Sequence, residues 1–193
     1  MAEINVALLG FLGVLAGGYV NNFLAEDYRR FRDSRALAGA LAGELESHSE
    51  AIPLIKQSLE TMLMGLARGE KLSLPEWPIP ASPLFDENAS KIGLLGPESA
   101  NGVAYVYENI RAFRQSFHLL SKHHSTMSSM WCQSIIVGSL AAIGRAENKG
   151  LPLVANLKKH AESRYLSLPE TRTQLKFGVA AVITFLMALK VLL

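Results

Sequence analysis

The sequence predicts an all-α fold in which two transmembrane helices flank a cytoplasmic helical bundle. Three observations lead to this prediction. Each end of the chain carries an apolar stretch long enough to span a bilayer. The residues between these stretches place apolar side chains at helical spacings of three and four. The mean hydropathy of +0.19 is high for a fully soluble chain of 193 residues.

The first predicted span covers residues 4–24, INVALLGFLGVLAGGYVNNFL, which include no charged side chain. A helix of that length extends for about 30 Å, the thickness of a bilayer core. A cleaved secretory signal peptide is the alternative. Such peptides begin with a basic region, whereas this chain begins with Met1, Ala2 and Glu3. We therefore expect a retained membrane anchor.

Small residues form a stripe along this first span. Gly10, Gly13, Gly17 and Asn21 follow one another at helical spacings, so they lie on one face. Small residues spaced by four allow two membrane helices to approach closely, and an asparagine amide can bond across the contact. The stripe predicts a packing face, either for the second span or for another copy of the chain. The alternative is that glycine is simply common in membrane helices.

The second predicted span covers residues 171–193 and ends in the apolar run LKFGVAAVITFLMALKVLL. Lys190 lies near the end of this run, where its long side chain can extend to the far interface. A helix lying in the membrane interface is the alternative. Apolar residues cover every face of the run, which favours insertion.

Basic residues on the inner flanks of the spans predict the topology. The residues in question are Arg29, Arg30, Arg32 and Arg35 after the first span, and Arg164, Arg172 and Lys176 around the start of the second. Since basic residues mark cytoplasmic flanks, we expect the middle of the chain to be cytoplasmic and both termini to lie outside. In a bacterial cell this topology places the protein in the inner membrane.

Residues 25–170 are predicted to form the cytoplasmic bundle. Its first helix should run unbroken to about Ala51, after which Pro53 either starts a second helix or kinks the first. Gly69 is predicted to end that helix. Residues 70–84 contain four prolines and therefore predict an extended crossover loop, which Trp77 would anchor. A proline-rich ligand for a partner domain is the alternative for this loop.

The second half of the bundle is predicted to contain further helices. A short helix over 87–95 should end at Gly96, and Pro97 should start the next. That next helix carries a heptad seam, which favours a bundle core: Val103, Val106, Ile110, Phe113, Phe117 and Leu120. Residues 127–144 are apolar enough to leave a third span open as an alternative. Gly150 is predicted to end their helix, and Pro152 and then Pro169 to start two more.

The sequence predicts neither an enzyme nor a cofactor or metal site. It contains no glycine-rich phosphate loop, no HExxH and no CxxC pattern. His123 and His124 are adjacent, but a metal ion would need further ligands from elsewhere. Cys132 is predicted to be a small core residue rather than a nucleophile. The net charge of +2 is too small to predict direct nucleic-acid binding.

One stretch, SPLFDENASKIGLLGPESANGVAYVYENIRAF, resembles small, uncharacterised bacterial and prophage inner-membrane proteins that have an N-terminal span. The shared phrase is F-D-x-N-x-x-x-I-G-x-L, represented here by Phe85, Asp86, Asn88, Ile92, Gly93 and Leu95. This resemblance implies no activity. The two-span layout is also similar, in architecture alone, to the membrane effectors of retron-type antiviral defence.

Two functions remain as expectations. The first is a membrane-acting effector, or toxin, that oligomerises through its spans and is controlled by a cytoplasmic partner, with antiviral defence as a setting. The second is a membrane anchor or scaffold that presents the bundle to a cytosolic partner. The expected partners are the lipid bilayer, further copies of the chain, and a cytosolic protein or ribonucleoprotein. The glycine stripe with Asn21 favours the effector, since a simple anchor needs no packing face.

Overall fold

The computed structural model describes residues 10, 11, 13, 14, 17, 18 and 24–192. Within these residues every regular element is a helix, which confirms the all-α prediction. The chain divides into two compact units. The bundle unit comprises residues 33–161, and the terminal unit combines residues 1–32 with 162–193. No helix in the described part of the chain is both long enough and apolar enough to cross a membrane.

Helix α1 spans Ala25–Ala67 and continues through Pro53 without a break. Of the two predictions for this proline, the new helix start is therefore wrong. The proline stays in the helix because the residues on both sides are held by packing: Ile52 before it and Leu59 after it are 3% and 1% exposed. The predicted end is confirmed, since Gly69 has φ +84°, a conformation that glycine adopts without a Cβ clash.

Residues 70–82 form no helix and are called the strap below. Helix α2 then covers Pro83–Asn88, and a 3-10 helix covers Ala89–Leu95. The predicted short helix thus begins four residues early, because Pro83 supplies a preset φ at the first helical position. Its predicted end is confirmed, as Gly96 has φ +81°. In the shared phrase, Phe85 and Leu95 are both 7% exposed, so these residues have structural roles.

Helix α3 spans Pro97–His123 and helix α4 spans Ser129–Glu162. The predicted start of α3 at Pro97 is confirmed. The predicted break at Gly150 is wrong, because α4 continues through Gly150 and Pro152. Packing explains this continuity: Gly150 is buried against Val106 of α3, and the next turn buries Leu153. Tertiary contacts here outweigh the few kcal/mol that an internal proline costs.

The bundle unit contains two clusters of buried apolar side chains. The first cluster joins α1, the α2 region, α3 and the second half of α4, and its members include Leu41, Leu45, Phe85, Val103, Val106, Tyr107, Ile110 and Leu157. The second cluster joins the end of α1, the strap, the end of α3 and the start of α4. Its buried members are Leu59, Leu66, Leu120, Cys132 and Ile136. Residues 127–144, the alternative third span, thus contribute Cys132 and Ile136 to this second cluster.

The terminal unit contains the start of α1, a 3-10 turn over Tyr165–Ser167, and helix α5 over Pro169–Leu192. The predicted helix start at Pro169 is confirmed. Tyr165 packs its ring against Tyr28 and Phe31, with centroids 5.4 Å apart in both cases. The α1 and 3-10 segments of this unit are therefore joined by an aromatic contact.

Candidate functional site: an apolar groove beneath the strap

An apolar groove of about 490 Å³ lies in the bundle unit. Its walls come from α1, the strap and α3, which approach one another beside the second cluster. The apolar and aromatic side chains lining it are Ala51, Leu54, Ile55, Leu59, Met62, Leu74, Pro75, Trp77, Pro80, Phe113 and Phe117. On α1 these residues recur every three or four positions, so one continuous face of the helix forms the floor.

Three side chains of α3 hold the strap in place. His118 Nδ1 lies 2.6 Å from the carbonyl oxygen of Trp77, and Ser121 Oγ accepts a hydrogen bond of 3.0 Å from the Trp77 amide. The Leu74 amide donates to His124 Nε2 at 3.3 Å. The Trp77 ring also packs edge-on against Phe117, with centroids 6.4 Å apart. A proline-rich segment has few amides to place in a ladder, so these side chains substitute for regular structure.

Two basic side chains line the groove: His48 from α1 and Arg114 from α3. Arg114 donates 2.6 Å to Ser82 Oγ, and its other terminal nitrogen lies 3.4 Å from His48 Nε2. Burial lowers the pKa of His48, and the nearby Arg114 charge lowers it further. Burial also lowers the pKa of Arg114, which still remains a cation. No carboxylate is among the groove-lining side chains that the structure describes.

A second polar network lies next to this basic pair and is fully structural. Glu44 accepts hydrogen bonds from the Tyr107 hydroxyl at 2.6 Å and from the Phe85 amide at 3.0 Å. It thereby caps the first turn of α2, whose own flanking residue makes no side-chain cap. Burial and the Glu44 bond both raise the pKa of Tyr107. This network fixes the α2 region on the first cluster and places Ser82, the Arg114 partner, at the end of the strap.

The predicted glycine face has no contact within the described part of the chain. Gly10, Gly13 and Gly17 are helical and exposed, and a Cβ added at any of them would meet nothing within 4 Å. Asn21 and most of the first predicted span lie outside the described residues. The structure therefore does not bring the stripe together with another described element, and its packing role remains a prediction.

The predicted membrane-proximal basic residues have different surroundings. In the terminal unit, Arg29 and Arg30 both pair with Glu26, while Arg172 Nε donates 3.1 Å to the Leu166 carbonyl. Arg32 and Lys176 are exposed. In the bundle unit, Arg35 Nε donates 2.7 Å to the carbonyl oxygen of Ala161, in the last turn of α4. A cation at a helix C-terminus is favourable, so Arg35 also serves the bundle fold.

The predicted seam of α3 divides between the two clusters. Val103, Val106 and Ile110 are buried in the first cluster, at 4% exposure or less. Leu120 is fully buried in the second cluster, with Phe113 and Phe117 packed partly buried against it. The last two rings also line the groove. One heptad stripe thus supplies both core and groove wall, a division that periodicity alone does not reveal.

The groove's polar residues were not predicted as a site. His48 lies on α1 and Arg114 on α3, far apart in the chain, and no local motif connects them. The strap anchors His118 and His124 are close to Arg114 in sequence, but the Trp77 and Leu74 backbone groups that they bond are distant. The only sequence signal was the proline-rich loop with Trp77, whose anchoring role is seen at Phe117. Among the described residues, no three histidine, cysteine or acidic side chains form a cluster that could hold a metal ion. Burial raises the pKa of the Cys132 thiol, which favours its protonated form.

Comparisons of this chain with protein-family models, with curated proteins and with solved structures found no match.

Proposed function

We propose that this chain is a membrane-acting effector whose terminal segments, 4–24 and 171–193, insert into the bacterial inner membrane and whose bundle is restrained by a cytosolic partner. One observation carries the proposal. Large apolar side chains of α5 are exposed on several faces of the helix: Leu175, Phe177, Val179, Ile183 and Met187, at 49% to 72%. Leaving such area in water costs about 25 cal/mol per Å², and lipid or other copies of the chain would cover it.

The glycine stripe supports oligomerisation as the means of action. The described stripe glycines are open, so a second helix can reach their backbone closely. In this proposal release of the bundle lets terminal segments from several chains pack and breach the membrane. Replacing Gly13 and Gly17 together with Ile should abolish self-association in a membrane two-hybrid assay, whereas Phe11→Ile, on another face of the segment, should not.

The test is membrane potential and viability in bacteria that express the full chain or a chain lacking 175–193. An effector should depolarise the cells rapidly, and loss of the tail should abolish that effect. A matched point variant, Ile183→Lys, places a charge in the predicted bilayer core and should act like the deletion, whereas Gln174→Lys should not. Depolarisation that persists without residues 175–193 would contradict this proposal.

The second candidate is a membrane anchor that presents the bundle to a cytosolic partner. The observation that favours it is the bundle unit itself, which has two clusters and a groove. An anchor should float with membrane vesicles and resist carbonate extraction, while cells that express it stay polarised. The same deletion of 175–193 separates the two candidates, because an anchored chain should stay on vesicles through residues 4–24 and the deletion should have no effect on potential.

A further inference from the structure

We propose that the groove beneath the strap binds a free single-chain anionic amphiphile, such as a long-chain fatty acid. Its carboxylate would lie at Arg114 and its hydrocarbon chain along Leu59 and Phe117. This inference is independent of how the terminal unit meets a membrane. It rests on the groove's size, on its lining and on the placement of its charge.

Size and lining favour a small apolar ligand. The groove volume of about 490 Å³ lies within the usual range of small-molecule pockets, roughly 300–1,000 Å³. Apolar and aromatic side chains make up nearly all of its wall. Such pockets gain affinity from apolar burial and take their orientation from a few polar groups. Here those groups are His48 and Arg114, at one end of the α1 face that continues to Met62.

The charge of the groove favours an anion at that end. Arg114 carries five N–H donors, and its contacts with Ser82 and His48 engage two of its nitrogens. A guanidinium can bind a carboxylate through two parallel bonds, which are stronger than neutral hydrogen bonds. Glu44 and Asp86 interact with Arg114 and weaken its pull on an anion, but neither carboxylate lines the groove. A cationic head would meet only basic side chains there.

The strap makes a protein helix a poorer occupant. Pro75, Trp77 and Pro80 line the groove from the strap side, and hydrogen bonds to α3 hold Trp77 in place. An α-helix with its side chains is about 10–12 Å across, so it would require the strap to move. An extended hydrocarbon chain is much thinner and needs no such movement.

The test uses three probes with the same twelve-carbon chain: dodecanoate, dodecanol and dodecyltrimethylammonium. The protein is the full chain carrying Trp131→Phe, in nanodiscs of zwitterionic lipid, so that Trp77 in the groove wall is the sole tryptophan reporter. Titrations monitored by Trp77 emission give the dissociation constants. We expect dodecanoate to bind about ten-fold more tightly than either other probe, the factor that one charge-assisted bond supplies.

Two variants assign the effect to this site. Arg114→Gln should weaken dodecanoate binding about ten-fold, whereas Arg111→Gln, one turn away on α3 and outside the groove, should leave it unchanged. Ser58→Phe fills the groove without touching Arg114 and should abolish binding of all three probes. Equal affinity for the three probes, or an Arg114→Gln variant that matches Arg111→Gln, would overturn the proposal. A repeat titration in nanodiscs that also contain anionic lipid completes the test: weaker dodecanoate binding there would contradict the proposal, since the site would then take a headgroup.

Discussion

The two clusters of the bundle unit are closed in different ways. The first is enclosed by helical elements on all its described sides, and its edge is fixed by the Phe85–Tyr107 ring stack, with centroids 4.0 Å apart. The second has few fully buried members, and many of its side chains, Ile55, Met62 and Leu74 among them, are only partly buried. One side of it is closed by the strap, which has no helical hydrogen bonds of its own.

This difference indicates that the two clusters have different roles in the bundle. Regions with dense burial open only with global unfolding, whereas regions held by a few bonds to an irregular segment open locally. The first cluster therefore maintains the fold. The second cluster, together with the groove beside it, is the part that can change when a ligand or partner arrives.

The largest expected difference between the clusters is in the free energy of unfolding that is lost when a leucine side chain is truncated. Leu41 in the first cluster is completely buried, so Leu41→Ala should lower the free energy of unfolding by about 3 kcal/mol, within the range for buried leucines. Leu63 is only partly buried beside the second cluster, so Leu63→Ala should cost about 1 kcal/mol. Urea unfolding of the full chain in mild detergent measures both. The exposed Leu54→Ala is the control and should have little effect. Equal costs at 41 and 63 would remove the distinction between the clusters.

The fold could be predicted from the sequence where local signals decide it. Gly69, Gly96, Pro97 and Pro169 mark helix boundaries because their backbone requirements are local. Pro53 also looked like a possible helix start, yet α1 continues through it. Its position depends on contacts with residues distant in the chain, and sequence periodicity carries no information about their strength.

The site could be predicted only in outline. The proline-rich loop and Trp77 were recognisable as a packed crossover. The basic groove end was not, because His48 and Arg114 are separated by 65 intervening residues and meet only after α1 and α3 pack. The strap anchors were missed for the same reason. A histidine that accepts a bond from a distant backbone amide has the same local sequence as a solvated one.

A smaller effect is expected in hydrogen exchange at the strap, and it measures how firmly the strap closes the second cluster. His124 Nε2 accepts the Leu74 amide, while its Nδ1 lies 3.0 Å from the Ser121 carbonyl, so Nδ1 must be the donor. His124→Ala should speed hydrogen exchange of the Leu74 amide about five-fold at constant pH, since one hydrogen bond contributes about 1 kcal/mol. The His124→Gln side chain keeps a hydrogen-bond acceptor, so the Leu74 amide of that variant should exchange at nearly the wild-type rate. His123→Gln is the neighbouring control, and a similar increase there would assign the effect to general loosening.

The smallest expected effect is a pH dependence at the edge of the first cluster. His160 Nε2 lies 2.6 Å from Ser34 Oγ, whose hydroxyl also bonds the Leu94 carbonyl at 2.8 Å. Burial, and then the Arg35 charge, lower the pKa of His160 in the folded chain. The folded state thus binds this proton more weakly than the unfolded state, in which an imidazole has a pKa of about 6.5. Stability is therefore complete above that value and falls as the pH drops through it towards the lower folded pKa. The loss should be modest, because the imidazole is only partly buried and remains partly hydrated.

Urea unfolding at pH 8, 7, 6 and 5 should show this decline in stability, and His160→Gln should make the decline with falling pH less steep. The exposed His123→Gln should leave the slope unchanged. If the slope in His160→Gln is undiminished, the acid sensitivity would be assigned to His48, beside the groove. The second cluster would then be the part of the bundle that responds to pH.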